Sequence, residues 1–459
     1  MASKTSARPT FRCTECGWTS VKWVGRCGEC QAWGSVQEIG APTVRTTAAR
    51  PAARSAQPIR EVDGTTAHAR TTGVAEFDRV LGGGIVPGAV VLVAGEPGIG
   101  KSTLLLDVAA RTAGQEGIER VLYLSGEESA AQVHNRAARI GALADRLYLA
   151  AENDLATVLG HMEELRPQLI VIDSVQTISS GQVEGAAGNV SQVKEVAAAI
   201  IQAAKASNVS VLLVGHVTKD GSIAGPRVLE HLVDVVVQFE GDRHSRLRLV
   251  RAVKNRYGPT DEVGCFDLTD IGIEGLADPS GLFLSNRTTQ VPGTCVTVTL
   301  EGRRPLLTEV QALVAGTQVP SPRRATSGLD SSRTAMIIAV LDKRAKAPLG
   351  SMDTYLSTVG GVRLTEPAAD LAIALALASS IMDRPLPPGS VAFGEVGLAG
   401  EIRPVTALSR RLAEAARLGF TTAFVPAGAR CDGPVPEGLR VVEVSDIAGA
   451  VGRSLPSPG

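Results

Sequence analysis

The chain has 459 residues, a formal net charge of −1 and seven cysteines. Such a length predicts about three domains with ample chain for real cores, and the near-neutral balance excludes a protein that attracts polyanions over its whole surface. No run of eighteen apolar residues occurs, and the start, MASKTSARPTFRC, lacks the apolar stretch of a secretion signal, so no membrane partner and a cytoplasmic location are expected. Basic charge is concentrated at the front, where residues 1–60 hold nine Lys/Arg against three Glu, a balance of +6.

Four of the cysteines fall in the order Cys13-x2-Cys16-x10-Cys27-x2-Cys30. Two thiolate pairs on short knuckles can set four sulfurs around a tetrahedral Zn2+, and Gly17, Gly25 and Gly28 ease the turns. A redox dithiol and an iron–sulfur site are the rival readings, but no strand-helix context of a redox fold surrounds the motif. A unit this small must be held together largely by its metal. Trp18, Trp23 and Trp33 are all the tryptophans in the chain. Packing over the sulfurs is their favoured use, and stacking faces for bases or a partner are the other. Residues 1–39 are therefore read as a zinc ribbon. Residues 40–60, rich in Ala, Pro, Thr and Arg with no acidic residue, are read as a flexible linker.

Residues 61–287 carry a nucleotide signature. The apolar run Val90–Ala94 leads into Gly95, Glu96, Pro97, Gly98, Ile99, Gly100, Lys101, Ser102 and Thr103, and an apolar helix-like segment follows. Gly-x4-Gly-Lys-Ser between a strand and a helix is the P-loop pattern, in which backbone N–H groups cradle phosphates. Lys101 is placed for the β and γ phosphates of ATP, and the Ser102 hydroxyl for Mg2+. The strand within ERVLYLSGEES (119–129) ends in acids. Glu127 is the candidate to polarise the attacking water and Glu128 the reserve, unless Ser125 and Glu128 form a helix cap. RLYLA (146–150) predicts an edge strand and Leu155–Leu165 a helix.

PQLIVIDSVQT (167–177) runs into Asp173, the expected second Mg2+ contact. Residues 178–192 lack periodicity and read as a mobile loop. A helix over 193–206 and a strand over 209–219 follow. His216, where that strand exits, is either a hydrogen-bonding group near the γ phosphate that passes nucleotide state to the next loop, or a satisfied core histidine. Segments 234–240 and 245–258 continue the sheet. Alternation of Arg246, Leu247, Arg248 and Leu249 predicts an antiparallel ribbon at a sheet edge. It ends in Lys254, Asn255 and Arg256, which have two uses: completing a neighbouring subunit's ATP site as an arginine finger does, or contacting nucleic-acid phosphates.

The order of P-loop, SGEES, VIDS, GHVTKDGSIAGPRVLEH and KNRYG behind a four-cysteine ribbon resembles the RadA (Sms) family of bacterial DNA-repair ATPases, within the RecA-like superfamily. The resemblance spans essentially the whole chain. Its signature usually reads KNRFG; Tyr257 replaces the phenylalanine, and Lys254 and Arg256 are unchanged. The resemblance implies an α/β RecA-like P-loop core, a hexameric ring on DNA, and ATP held between subunits. It also implies channel-facing loops at 178–192 and 218–230, with Lys219, Arg227, Lys254 and Arg256 as DNA contacts. Implied partners are single-stranded and branched DNA and the RecA recombinase, and the implied activity is branch migration.

In residues 288–459, segment 294–314 is strand-rich, 318–333 loop-like, and helical periodicity resumes at Thr334–Arg344 and Ala368–Met382. Residues 390–405 read as a hairpin, 410–420 as a helix closed by Gly419, and 424–426 as a strand. This order resembles the α+β proteolytic domain of Lon. Where that family has its nucleophilic serine, in a GPSAG-like turn, this chain has Glu366, Pro367, Ala368, Ala369 and Asp370. Where the lysine belongs it has Ser409. A methyl group cannot attack a carbonyl, so no proteolysis is expected. Arg403, Arg410, Arg411 and Arg417 around one helix read either as a duplex-phosphate surface or as a solvated face. A DNA motor accounts for all these features together. A signalling ATPase ring without DNA needs neither the ribbon nor the KNRYG cations, and an ATP-dependent protease fails at Ala368 and Ser409.

Overall fold

The computed structural model describes residues 10–39, 57–61, 68–216, 227–241, 246–282, 291–317, 319, 321–359 and 362–455. The chain divides into two compact units, Met1–Asp63 and Gly64–Gly459. In the first, β1 (Thr10–Cys13) lies between β2 (Thr19–Ser20) and β3 (Val36–Ile39), all antiparallel. Among the described residues, Cys13, Cys27 and Val36 alone form its buried apolar cluster, with Phe11, Trp18 and Val24 packed on them. That is too little apolar burial to hold a fold without a cross-link.

The second unit opens with α1 (Ala75–Leu81), β4 (Val90–Gly95), α2 (Lys101–Ala113), β5 (Val121–Ser125), α3 (Ala130–Arg139), β6 (Leu147–Ala151), α4 (Leu155–Leu165) and β7 (Leu169–Asp173). It continues through α5 (Val190–Ser207), β8 (Ser210–His216), α6 (Arg227–Leu232), β9 (Val235–Glu240), β10 (Leu247–Asn255), β11 (Val263–Leu268) and β12 (Ile273–Gly275). These strands form one nine-stranded sheet in the order β12-β11-β10-β9-β4-β8-β7-β5-β6, parallel from β9 to β6. Apolar clusters cover both faces, with α1 and α2 on one side and α4 and α5 on the other. Double burial is why β4, β5 and β7 read as unbroken apolar runs. β6 is an edge, as expected. β10 is antiparallel as expected but is not at an edge, because β11 and β12 extend the sheet beyond it.

The rest comprises β13 (Thr294–Glu301), β14 (Arg304–Gly316), β15 (Arg324–Ser327), α7 (Ser331–Arg344), β16 (Met352–Thr358), α8 (Asp370–Met382), β17 (Ser390–Ala392), β18 (Glu395–Val396), β19 (Ile402–Arg403), α9 (Leu408–Arg417), β20 (Thr422–Pro426), β21 (Arg440–Val444) and α10 (Ile447–Ser454). Seven of the strands form a mixed sheet ordered β15-β16-β14-β13-β17-β20-β21, and β18 and β19 form a hairpin. Residues Leu371–Ala378 of α8 are buried on every side, as an all-apolar helix must be. α8 packs against the sheet and against α7 and α10.

The turn between β13 and β14 seats on the nine-stranded part. Arg304 pairs with the buried Glu76 of α1 and donates to Leu276 O at 3.0 Å. Arg251 binds both Glu240 and Glu301. Because a Cβ at Gly302 would lie 2.2 Å from Asp261 O, only glycine allows this approach.

Candidate functional site

The P-loop lies beyond the carboxyl end of β4, between β8 and β9. Gly98 and Gly100 adopt left-handed φ of 77° and 113°, and a Cβ at Gly95 would meet Phe239 O at 2.8 Å. Glu96, Pro97 and Ile99 fill the positions between these glycines. Gly100 caps α2 without a side-chain acceptor, so the first-turn N–H groups carrying Lys101, Ser102 and Thr103 are available to an anion. Lys101 is buried, and its Nζ donates to Gly95 O and Glu96 O, both at 2.8 Å. Burial lowers its ammonium to about 8, opposed by the charges of Asp173, Glu127 and Glu96.

Parallel register brings the other candidates to the same edge: His216 pairs with Gly95, and Ser125 with Asp173. Asp173 is buried and accepts from Tyr123 Oη at 2.7 Å. Burial, then the Asp173 charge, raises the Tyr123 phenol well above its usual range. Glu127 Oε1 accepts from Ser174 Oγ at 2.6 Å and lies 3.0 Å from His216 Nε2. The His216 hydrogen bond is the largest cause pulling this carboxyl down to about 2, with Ser174 and Lys101 acting the same way and burial against. Glu128 turns to Arg136. The helix cap belongs to Ser129 and Gln132 rather than to Ser125 and Glu128. Sequence reading gave no role to Tyr123, Ser174 or Arg248. Arg248, read as one arginine of the alternating edge ribbon, is buried with Nε 3.2 Å from Ile99 O, against the P-loop. A basic residue on a strand carries no signal that tells a buried placement from an exposed one.

Lys254 and Arg256 sit elsewhere. Asn255 is opposite Val235, and Val235 opposite Val91. They are therefore at the amino end of β4, roughly 13 Å of strand from Gly95, and cannot reach the P-loop of their own chain. Lys254 Nζ donates to Glu230 O and Val233 O at 2.7 and 2.8 Å. The half-exposed Arg256 pairs with buried Asp234 at 3.1 Å, and Asp234 also accepts from Val90 N and Lys205. Lys219 lies outside the described residues, as does the side chain of Arg227, whose backbone begins α6. The segment expected as a mobile loop is irregular up to Asn189, but the buried Gln192 amide ties it at Ser180, Val183 and Gly185.

In the ribbon the four sulfurs of Cys13, Cys16, Cys27 and Cys30 all lie within 4.8 Å of one another. Cys13–Cys30 and Cys16–Cys27 are 3.7 and 3.5 Å apart, against the ~3.8 Å edge of a tetrahedron with Zn–S bonds of ~2.3 Å. The cage fits Zn2+. Trp18 packs inward over the Cys27–Cys30 knuckle, 3.0 Å from a Cβ built on Gly28, while Trp23 and Trp33 are 64% and 76% exposed. The favoured packing role thus holds for Trp18 alone.

In the C-terminal part Ala368 is buried, and Ser409 Oγ lies 3.2 Å from Cys431 Sγ. Arg411 belongs to neither a phosphate surface nor a solvated face. It is wholly buried, paired with Glu366 and donating to Val298 O and Thr406 O. Arg403 pairs with Glu395 and Glu401, and Arg417 with Asp278 and Glu414. Arg410 is exposed.

Fold and sites define a P-loop ATPase joined to a four-cysteine metal ribbon. Residues 56–222 match the family model of an AAA domain, and residues 11–38 that of a rubredoxin metal binding domain. A DNA repair protein RadA of Mycolicibacterium smegmatis is 56% identical over 97% of this chain and 96% of its own length. One from Mycobacterium tuberculosis is 55% identical over 97% and 93%, and one from Streptococcus pyogenes 46% over 96% and 97%. The chain belongs to the RadA family of DNA repair proteins. Among the described residues no helix is long and apolar enough to cross a membrane.

Proposed function

We propose that this chain is a DNA-dependent ATPase of the cytoplasm that drives branch migration of recombination intermediates beside the RecA recombinase, working as a hexameric ring with ATP held at subunit junctions. The observation that carries this reading is the separation along β4. Lys101, Asp173 and Glu127 gather at one end, whereas Lys254 and Arg256 stand at the other, facing away from their own P-loop. Half a site at each end suits a junction between copies, where each chain supplies the P-loop for one nucleotide and the cations for the next.

In this scheme Lys101 leaves the Gly95 and Glu96 carbonyls for the β and γ phosphates. Ser102 and Asp173 would hold Mg2+, which when bound neutralises phosphate charge, and Tyr123 fixes the Asp173 carboxylate. Glu127 takes the proton of the attacking water, oriented by Ser174 and His216. Arg256 from the adjoining copy, released from Asp234, stabilises the charge that builds on the transferring group. Lys219, Arg227, Lys254 and Arg256 are the proposed DNA contacts. The proposed division is a zinc ribbon over 1–39, a linker over 40–60, the ATPase over 61–287 and a non-proteolytic Lon-like domain over 288–459. A methyl group at Ala368 and a hydroxyl instead of an amine at Ser409 are the grounds for excluding proteolysis.

Turnover measured with and without single-stranded and forked DNA tests the reading: stimulation of severalfold is expected. An unchanged rate with every DNA would favour a signalling ring instead, and degradation of casein by the pure protein would restore the protease. Strand extension from a joint molecule, with and without RecA, tests the motor itself.

A further inference from the structure

The zinc cage accounts for Trp18 but leaves two other indoles without a use. Trp23 and Trp33 are large apolar rings that a unit of this size would cover if it folded for stability alone, yet both face solvent. They are neighbours: a Cβ built on Gly25 would lie 3.7 Å from the Trp23 ring and 3.9 Å from the Trp33 ring. Trp33 is held opposite Arg26 by an isolated strand bridge, and the Arg26 guanidinium lies over the Trp33 ring at 5.6 Å from its centre. Arg26 Nε donates to Gln31 O at 3.0 Å, so the stack is fixed by backbone on both sides. Lys22, also exposed, precedes Trp23. The group is therefore two exposed, positioned π-faces, one already stacked with a cation and another cation beside them.

We propose that Trp23, Arg26 and Trp33, with Lys22, form a stacking platform for unpaired bases of single-stranded nucleic acid, a polynucleotide site on the ribbon separate from the cations of the ATPase. Single-strand sites combine these two elements, aromatic faces that take bases of any sequence and cations that follow the phosphates. Charge favours a polyanion over an apolar protein partner. The only charges in the residues from 39 to 60 are Arg45, Arg50, Arg54 and Arg60, so the chain leaving the platform is purely cationic. A duplex has its bases stacked internally and offers this surface only phosphates. The platform rests on the polynucleotide partnership proposed above, but not on the ATPase mechanism.

The chain reports on this site unaided, because its three tryptophans all lie in the ribbon. The test titrates the full-length protein, without nucleotide, with a single-stranded oligo(dT) and follows tryptophan emission, alongside ATP turnover with and without the same oligonucleotide. Marked quenching by oligo(dT) and little by a duplex of equal length are expected. Trp23→Ala and Trp33→Ala should each weaken the oligo(dT) interaction about tenfold, within the range of a lost base–aromatic stack. Trp33→Phe should recover part of it, and turnover without DNA should stay at the wild-type rate. Retention of one zinc per chain shows that the variants keep the ribbon.

Stimulated turnover with no change in emission would overturn the platform and leave the DNA-dependent ATPase standing; no response in either signal would overturn both. If emission changes only on adding the RecA recombinase, the indoles are a protein-docking face and the assignment to bases fails.

Discussion

Lys101 shows how one buried charge ties stability to ligand binding. Burial holds its folded pKa at about 8 against an ordinary 10.5. Keeping the buried ammonium charged therefore costs stability in full below pH 8, and the cost fades as pH rises through 10.5. Phosphates beside Nζ reverse the shift, so ADP binding at pH 9 should take up part of a proton. Calorimetry in two buffers of different ionisation heat measures this, and zero uptake would show that Lys101 does not meet phosphate. Glu127 is depressed instead, to about 2 from 4.5. Its contribution to stability is thus present above pH 4.5 and lost as pH falls through 2, and it remains an ionised base across neutral pH. At this scale the sequence was informative wherever a motif fixes a residue at a strand end, as for Gly95–Thr103, Glu127 and Asp173. Tyr123 and Ser174 were not legible, because their partners lie 50 and 47 residues away.

Among the elements, α9 carries the clearest departure from its reading. Arginines at 403, 410, 411 and 417 look alike in a sequence, but the helix turns Arg411 inward onto Glu366. Removing one member of a buried ion pair leaves the other uncompensated, so Arg411→Met should cost about 3–5 kcal/mol. Adding Glu366→Gln should return part of that in denaturant unfolding; additive losses would mean that the two side chains do not depend on each other. The ribbon fails differently. The three apolar residues buried among its described residues cannot replace a ligand, so Cys27→Ser should release the zinc and melt this unit while the P-loop unit still binds nucleotide, as metal analysis and nucleotide titration would report. The interior place of β10 could not be foreseen because it depends on β11 and β12 arriving later in the chain to pair with it.

At the level of the whole molecule, the proposed ring, with half a site at each end of the β4 region, predicts complementation. Lys101→Ala removes the phosphate-binding half and Arg256→Ala the cation half, so each variant alone should be nearly inactive. In an equal mixture, roughly a quarter of the junctions in a closed ring would join an intact Lys101 to an intact Arg256. Recovery of about that share of wild-type turnover is expected after subunit exchange, and none would place both residues in one chain's site. The α/β core was readable from its apolar runs, as were α7, α8 and α9 of the C-terminal part, whereas α10 was not. How the two parts meet was not, since Glu76 and Arg304 are 228 residues apart and neither belongs to a motif.

That meeting point limits how the protein can be divided. Glu76 is enclosed with Arg304 as its counter-charge, and the seven-residue α1 that carries it ends at Gly82, where a Cβ would stand 3.2 Å from Gly258 in the KNRYG turn. A fragment stopping short of Thr294 would leave the buried Glu76 with only the looser Arg79 contact at 3.6 Å and the Cys265 N–H at 3.0 Å, in the short helix that meets the KNRYG turn. The part from Thr294 onward thus acts as a keystone, and through Glu76 and α1 it steadies the turn that carries Arg256.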